Sequence, residues 1–303
     1  MKKIMFHCDW NSSGEDLLNT YKIQTPNCSG VWKDIEGTYD ADLADYHVVM
    51  DGGKPPSVPW DRVIYFQREE PEIKATKLDW PEELFFQGTY TDQRHHLVSV
   101  WRVLKSYDFF KNMEYNPNDK ISLVSTITSG KTDISGHKKR IRFLMSLVES
   151  YKEIDVYGKF GIENFGMIRS RWKGILQNNS YCKFGGLYPY HYSIAFENSR
   201  CYNSVSEKAF DALLSWTMPI YWGCPNISDF LPEGSYHHIE DIDDISSATK
   251  KVIKILKNPP TQENVLAMAR ARELILERYN LWPEIKAIID GSPISNNIKL
   301  GTK

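Results

Sequence analysis

Tyr190-His-Tyr-Ser-Ile-Ala-Phe-Glu-Asn-Ser199, with Val205-Ser-Glu-Lys-Ala-Phe-Asp-Ala-Leu-Leu214 and Met218-Pro-Ile-Tyr-Trp-Gly223 after it, is the most informative stretch of the chain. The apolar runs at 192–196 and 218–222 predict strands, and the Ala- and Leu-rich run between them predicts a helix over 206–215. A helix that connects two strands in so short a stretch is typical of a parallel sheet. The stretch therefore indicates an α/β fold.

The same alternation extends in both directions from this stretch. Apolar runs of strand length and amphipathic runs of helix length follow each other along most of the chain. Predicted strands cover 4–7, 46–50, 62–66, 121–125 and 154–157, and predicted helices cover 92–110, 137–151, 246–256 and 262–278, with a last amphipathic piece ending near Ile289.

A break in the pattern divides the chain into two parts. Asn116-Pro-Asn-Asp119 follows the predicted helix over 92–110, and such a polar, proline-containing run ends a helix. We therefore predict an N-terminal α/β domain at 1–117, a C-terminal Rossmann-like domain at 118–290 and a flexible tail at 291–303. Two such domains enclose a cleft, which is where folds of this kind bind ligands.

Composition excludes several classes of function. The 303 residues carry a formal net charge of −2 with acids and bases mixed along the chain, so no basic field is available for a nucleic-acid backbone. No run resembles a signal peptide or a membrane span, so we expect a cytoplasmic protein without a membrane anchor. The five cysteines are scattered and form no Cys-x-x-Cys pair, which argues against both a disulfide framework and a zinc site.

Polar residues with anion-binding potential lie at the start of the predicted helix over 206–215. Ser206 is placed to cap that helix, and Glu207 and Lys208 follow in its first turn. Backbone N–H groups and the positive end of a helix favour an anion, and a lysine at this position suits a diphosphate. In the alternative interpretation, Glu207 merely complements the helix dipole and Lys208 is solvated.

These residues closely resemble the donor-binding region of the α1,3/α1,4-fucosyltransferases, glycosyltransferase family 10. The resemblance covers about 34 residues from Tyr190 onward in one ungapped register. It implies that Lys208 binds the donor phosphates, that Glu207 holds hydroxyls of the nucleotide or the sugar, and that Asn198 contributes an amide to the donor site.

The chain departs from the family pattern at three positions. His191, Ser204 and Ser206 stand where the family usually has lysine, tyrosine and threonine. The change to serine at 206 keeps the hydroxyl. The missing tyrosine leaves the contacts to the donor sugar open, so a transferase that uses another GDP-sugar is the alternative within the enzymes.

A second segment carries the resemblance toward the N-terminus. Ser125-Thr-Ile-Thr128 and Lys138-Lys-Arg-Ile-Arg-Phe-Leu144 are similar to the family's strand and arginine-bearing helix. Arg140 then corresponds to the arginine that binds the donor phosphates, with Arg142 as the neighbouring candidate. The guanidinium is a planar, permanently charged fork that suits phosphate oxygens. Tyr157 and Gly158 lie in a segment that resembles the family's nucleotide-proximal Val-Asp-Val-Tyr/Phe-Gly.

Candidates for a catalytic base lie in the N-terminal half. Val63-Ile-Tyr-Phe-Gln-Arg-Glu-Glu-Pro71 is a predicted strand that ends in two carboxylates. An inverting transfer needs one base that takes the proton of the acceptor hydroxyl. By resemblance to the family's Glu-Ser-Pro, the base falls on Glu69, with Glu70 as the alternative and a solvated loop as the interpretation without function.

The resemblance implies a GT-B type fold, with two Rossmann-like domains that face a central cleft. It implies a hexosyltransferase of class EC 2.4.1 that transfers fucose from GDP-fucose, with inversion, to a hydroxyl of a glycan acceptor on the N-terminal side. No cofactor is expected to be required, with Mn²⁺ or Mg²⁺ at most an activator, and the Asp-x-Asp runs at 40–42 and 241–243 are assigned to solvated loops. A non-catalytic carbohydrate-binding protein of the same fold is the alternative from another class.

Overall fold

The computed structural model describes residues 1–8, 13–50, 57–66, 97–160, 166, 168–176 and 183–291. Two mostly parallel sheets, each accompanied by helices, organise these residues. The predicted α/β architecture is therefore confirmed, with one mostly parallel sheet in each half of the chain.

The N-terminal sheet contains five strands in the order β2-β3-β1-β4-β5. Its strands are β1 (Lys2–Cys8), β2 (Val31–Trp32), β3 (Ile35–Gly37), β4 (Tyr46–Met50) and β5 (Val63–Phe66). β1, β3, β4 and β5 pair in parallel, and only the short β2 runs antiparallel to β3. The three strands predicted in this region are confirmed. The β2–β3 hairpin was not predicted, because strands of two and three residues are too short to show an alternation of apolar and polar side chains.

The C-terminal sheet contains six parallel strands in the order β11-β10-β9-β6-β7-β8. They are β6 (Ser122–Ile127), β7 (Ile154–Tyr157), β8 (Trp172–Gly174), β9 (Tyr190–Phe196), β10 (Met218–Trp222) and β11 (His237–His238). Counted within this half, the order is 6-5-4-1-2-3, which is that of the Rossmann fold read from its other edge.

Seven helices of four residues or more in α-helical geometry occur among the described residues. They are α1 (Gly14–Tyr21), α2 (Tyr107–Asn112), α3 (Ser135–Ser150), α4 (Glu207–Leu214), α5 (Ile245–Ile255), α6 (Gln262–Glu277) and α7 (Leu281–Ile289). The helices predicted near α3, α4, α5 and α6 are confirmed within two residues at each end, and the amphipathic piece predicted to end near Ile289 is confirmed as α7. Ser206 caps α4, as predicted, because its side chain accepts a hydrogen bond from the Lys208 backbone N–H.

The helix predicted over 92–110 is wrong over 97–106, where the chain is not helical, and 92–96 lie outside the described residues. Leu97, Val98 and Trp101 are buried, but the backbone is extended enough for Ser99 to form a bridge with Asn280. The helix-like spacing of apolar residues in 97–106 therefore arises because this linker between the two halves is buried, and not because its backbone is helical. Leu104, which belongs to the same apolar spacing, is 52% exposed.

The final helix α7 packs against the N-terminal half. Trp282 is fully buried and its ring lies edge-on against Phe6 at 5.5 Å, while its indole N–H donates to the carbonyl of Tyr21 at 3.0 Å. Asn280, which caps α7, donates to the carbonyl of Gln24 at 2.8 Å. The boundary at 117 stays a prediction, and these contacts cross it. The predicted tail, 291–303, begins at the exposed Gly291, and its remaining residues, 292–303, are outside the described residues.

Candidate functional site

The strand order of the C-terminal sheet decides where a ligand can bind. The chain leaves β6 to one side toward β7 and β8, and it later returns on the other side of β6 with β9 and β10. At such a reversal the loops after the two central strands diverge and leave a crevice at their carboxyl ends. The loops that begin after Ile127 and Phe196 therefore border the candidate site.

Helix α3 begins directly against the turn that follows β9. A Cβ atom added at Gly136 would lie 1.9 Å from the Asn198 carbonyl oxygen, so only glycine permits this approach. One turn later, Arg140 is 6% exposed and its Nη1 donates to Asn198 Oδ1 at 2.7 Å. The structure thus brings together two residues, 58 positions apart, that were both predicted to bind the donor.

Glu197 links the end of β9 to the start of α4. This carboxylate is 1% exposed and accepts hydrogen bonds at Oε1 from the Ser206 N–H at 2.8 Å and the Tyr221 hydroxyl at 3.2 Å. Its Oε2 accepts from the Ser206 hydroxyl at 2.5 Å and from Lys208 Nζ at 3.1 Å. Because both oxygens are occupied, Glu197 fixes the Lys208 ammonium at the N-terminus of α4.

A second cluster surrounds Glu207. Lys183 Nζ donates to Glu207 Oε1 at 3.0 Å and to Asp211 Oδ2 at 3.1 Å. Lys208 Nζ lies 3.9 Å from Glu207 Oε1. Asp211 is 1% exposed, and its Oδ1 accepts the backbone N–H of Arg102 from the linker at 2.9 Å. The site therefore contains alternating cations and carboxylates, of which the carboxylates of Glu197 and Asp211 are buried.

The pKa directions follow from burial and from these partners. Burial alone would raise the pKa of Glu207, but Lys183 and Lys208 hold it well below the ordinary value, so Glu207 is ionised. For Asp211 burial prevails over Lys183 and raises its pKa to about 6. Burial also lowers the pKa of Arg140, against the opposing effect of Glu197 and Glu207, and a guanidinium remains charged at neutral pH.

Two small pockets meet at Ile127 and Ile194, at the ends of β6 and β9. One, of about 280 Å³, is lined by Lys183, Lys208 and Asp211 among others. The other, of about 260 Å³, is lined by Thr126, Thr128, Arg140 and apolar side chains. In this second pocket Arg140 Nε and Thr128 Oγ1 are buried without a hydrogen-bond partner among the described residues. Buried polar atoms are nearly always paired, so two orphans in one recess favour a polar ligand there.

Other predicted donor residues lie apart from this group. Arg142 is exposed on α3, whereas Arg140 is buried beside Asn198. The Tyr157 hydroxyl lies 2.8 Å from that of Tyr190, which donates to Asp155, so it is directed toward the start of β9 and not toward its end.

Of the remaining predicted site residues, the structure describes Gly158 but not the two candidate bases. Gly158 has φ of +133°, and a Cβ there would lie 1.7 Å from the Thr128 carbonyl oxygen, so glycine is required for the rim next to β6. Glu69 and Glu70 lie outside the described residues. Their assignment as base and alternative base stays a prediction.

The described part of the chain offers neither a cluster of metal-binding side chains nor a membrane-spanning helix. It contains no group of three or more His, Cys, Asp or Glu side chains placed to hold a metal ion. None of its helices combines the length and apolar character needed to cross a membrane.

Sequence reasoning missed three residues of the site. Glu197 could have been found, because it is an acidic residue directly after a buried strand. Asp211 could also have been found, since it is the one charge within the apolar run Ala209–Leu214. Lys183 precedes the motif in a segment without a recognisable pattern, so only the tertiary structure reveals its role.

Comparison with known proteins matches this half of the chain to one family. Residues 118–264 match the model of glycosyltransferase family 10 (fucosyltransferase) C-term. The human GDP-fucose protein O-fucosyltransferase 3 is 26% identical over 177 residues, which cover 55% of this chain and 36% of that protein. The Drosophila melanogaster glycoprotein 3-alpha-L-fucosyltransferase A is 24% identical over 257 residues, covering 82% of this chain and 47% of its own length.

The chain thus spans less than half the length of these two relatives. Among solved structures, an α1,3-fucosyltransferase with GDP aligns over 93% of both chains with 16% identity and a TM-score of 0.42. Arg140, Asn198, Glu207 and Lys208, which were predicted to bind the donor, all fall within the segment that matches the family model. Residues 118–264, just under half of the chain, are therefore similar to the C-terminal part of glycosyltransferase family 10, the fucosyltransferase family.

Proposed function

We propose that this chain is an inverting fucosyltransferase that transfers fucose from GDP-fucose to a hydroxyl of a glycan acceptor. One observation carries the proposal: Arg140, Lys208 and Glu207 converge with Asn198 at the carboxyl ends of β6 and β9. This is the point where a Rossmann sheet accommodates a nucleotide. The names of the relatives supply the donor, GDP-fucose, and the class of reaction.

In this proposal the diphosphate binds between α3 and the N-terminus of α4. The unpartnered Arg140 Nε and the Thr128 hydroxyl supply donors on one side, and the Lys208 ammonium lies on the other. Negative charge builds on GDP as its bond to the fucose C1 breaks, and fixed cations stabilise that charge without having to reorganise. Glu207, kept ionised, accepts hydrogen bonds from hydroxyls of the donor.

The acceptor is assigned to the N-terminal side. A pocket of about 1160 Å³ lies between α1 and the linker, and Asn19, Thr20, Trp101 and Arg102 contribute to its wall. The Arg102 backbone N–H bonds to Asp211, which also lines the pocket beside Lys183 and Lys208. One hydrogen bond thus joins the walls of the two pockets.

Glu69 is proposed as the base. The acceptor oxygen attacks C1 on the face opposite GDP, the C1–O bond to GDP breaks, and the hydroxyl proton passes to the Glu69 carboxylate. Mn²⁺ or Mg²⁺ is proposed at most as an activator of GDP release, with no metal required for the reaction. Addition of EDTA should then reduce the rate without abolishing it.

The test is GDP release from GDP-fucose in the presence of a panel of glycan acceptors. Glu69→Gln should lower kcat by at least about 100-fold, the lower end of what a general base contributes, and leave the affinity for GDP unchanged. Glu70→Gln is the matched control and should retain activity within about threefold. If Glu69→Gln remained active, the assignment of the base would be wrong. If no acceptor stimulated GDP release from any GDP-sugar, the enzymatic function itself would be wrong.

A second candidate, transfer of another sugar from GDP, is supported by Ser204. This residue stands where the family usually has tyrosine, and it is 5% exposed near the start of α4. The smaller side chain changes the contacts available to the donor sugar. Turnover of GDP-mannose exceeding that of GDP-fucose would favour this candidate.

A further inference from the structure

Lys183 lies outside the motif that predicted the site, yet its ammonium reaches into it. It belongs to the 3-10 turn Lys183–Gly186 before β9, and its Nζ lies 3.0 Å from Glu207 Oε1 and 3.1 Å from Asp211 Oδ2. We propose that Lys183 is a positioning residue that holds the Glu207 carboxylate in the orientation in which it binds the donor. This inference rests on the function proposed above.

Burial makes this interaction specific. The Lys183 side chain is 16% exposed and that of Asp211 is 1% exposed. A buried ammonium is retained only when opposite charges and hydrogen bonds compensate its lost hydration. The two carboxylates provide that compensation, and they raise the pKa of Lys183 above its ordinary value although burial acts in the opposite direction. Lys183 is thus a fixed cation and not a mobile surface lysine.

The position of the two carboxylates explains why one ammonium can orient Glu207. Residues 207 and 211 are four apart on α4 and therefore project from the same face of the helix. Glu207 is 29% exposed, so without Lys183 its side chain could turn to solvent, away from the negative charge of Asp211. Lys208 would not replace Lys183, because Glu197 holds Lys208 at 3.1 Å, whereas Lys208 and Glu207 are 3.9 Å apart.

The same contact joins three separate segments of the chain. Lys183 comes from the turn before β9, Glu207 and Asp211 come from α4, and Asp211 accepts the Arg102 backbone N–H from the linker. The orientation of a donor-binding carboxylate is therefore connected to the segment that arrives from the N-terminal half. A role in positioning explains why the cation is placed here, where no recognised motif requires it.

The experiment measures the affinity for GDP-fucose by calorimetry in single and double variants. Lys183→Met removes the charge and keeps the length of the side chain, and it should weaken donor binding about tenfold. In the Glu207→Gln background the same substitution should change affinity by less than about twofold, because the group that Lys183 positions is already neutral. Lys111→Met is the matched control, since Lys111 forms an exposed ion pair with Glu277 and should leave affinity unchanged.

A conservative variant covers the possibility that Lys183→Met fails to fold. Lys183→Arg keeps the charge, can reach both carboxylates and should bind GDP-fucose within about threefold of the wild type. Loss of affinity in Lys183→Arg equal to that in Lys183→Met would overturn the inference, as would a tenfold effect that persists in full in the Glu207→Gln background.

The failure of this inference can be told apart from failure of the proposed function. Wild-type protein that binds GDP-fucose and releases GDP, together with a Lys183→Met variant of unchanged affinity, would overturn the inference and leave the function in place. Wild-type protein that binds no GDP-sugar would overturn both.

Discussion

Replacing Glu197 with glutamine should destabilise the protein, because its buried carboxylate accepts four hydrogen bonds. Each carboxylate oxygen accepts two donors: Ser206 N–H and the Tyr221 hydroxyl at Oε1, and the Ser206 hydroxyl and Lys208 Nζ at Oε2. In either orientation, the new NH₂ group would face one group that can only donate, the Ser206 N–H or the Lys208 ammonium, and one hydroxyl that would have to reorient in order to accept. The side chain is 1% exposed, so water cannot compensate.

The size of the effect follows from these contacts. A hydrogen bond to a charged group contributes about 1.5–3 kcal/mol, and a buried donor left unpaired costs about 1–3 kcal/mol. We expect Glu197→Gln to lower the free energy of unfolding by about 3 kcal/mol, because the remaining carbonyl still satisfies part of the network. For a chain of this size that corresponds to a fall in Tm of roughly 5 °C.

Urea unfolding followed by tryptophan fluorescence measures this change. Glu240→Gln is the matched control, since Glu240 is exposed and its neutralisation should stay within about 0.5 kcal/mol. In a double-mutant cycle with Lys208→Met, the coupling energy between Glu197 and Lys208 should exceed about 1.5 kcal/mol. A loss below about 1 kcal/mol for Glu197→Gln, or a coupling near zero, would refute the description of Glu197 as the residue that fixes Lys208.

Three further predictions test other parts of the structure. Arg140→Met should weaken GDP binding in calorimetry by at least about tenfold, because a charge-assisted hydrogen bond is lost. Arg142 is exposed, and Arg142→Met should change the affinity for GDP less than about threefold. Equal effects of the two substitutions would refute the choice of Arg140. Burial and the neighbouring His47 lower the pKa of His7 to about 4, so between about pH 6.5 and 4 the unfolded chain binds a proton that the folded chain does not, and stability is lost as the pH falls through that range. In urea unfolding, the free energy of unfolding of His7→Asn should therefore depend less on pH over this range than that of the wild type. An equal dependence on pH in both proteins would contradict this. Asn19→Trp fills the pocket beside the linker and should raise the KM for the acceptor at least fivefold without changing GDP affinity; an unchanged KM would remove the pocket from the acceptor path.

Local pattern was sufficient for the part of the fold that carries the site. The strand, capped helix and strand from Tyr190 to Trp222 each have a period, a cap or a turn that acts within a few residues, and all three are confirmed. The pairing of Arg140 with Asn198 has no such local signal. Both residues were singled out only because the chain resembles a family whose donor site contains them.

Long-range burial accounts for what the sequence could not predict. The residues 97–106 have helical spacing of apolar side chains, but they are covered from both halves of the chain, so their period carries no information about their backbone. Lys183 and Asp211 meet across 28 positions. A buried charge pair of this kind is specified by the tertiary fold and leaves no periodic trace in the sequence.

The central claim is that the C-terminal half binds GDP-fucose. The most direct test is the melting temperature of the purified protein with GDP, GDP-fucose, GDP-mannose and UDP-galactose, because a ligand that binds only the native state stabilises it by about 2.7 kcal/mol at 100 times its Kd. We predict a rise with GDP and GDP-fucose, a smaller one with GDP-mannose and none with UDP-galactose. Equal shifts with all four ligands, or no shift with any of them, would contradict the proposal.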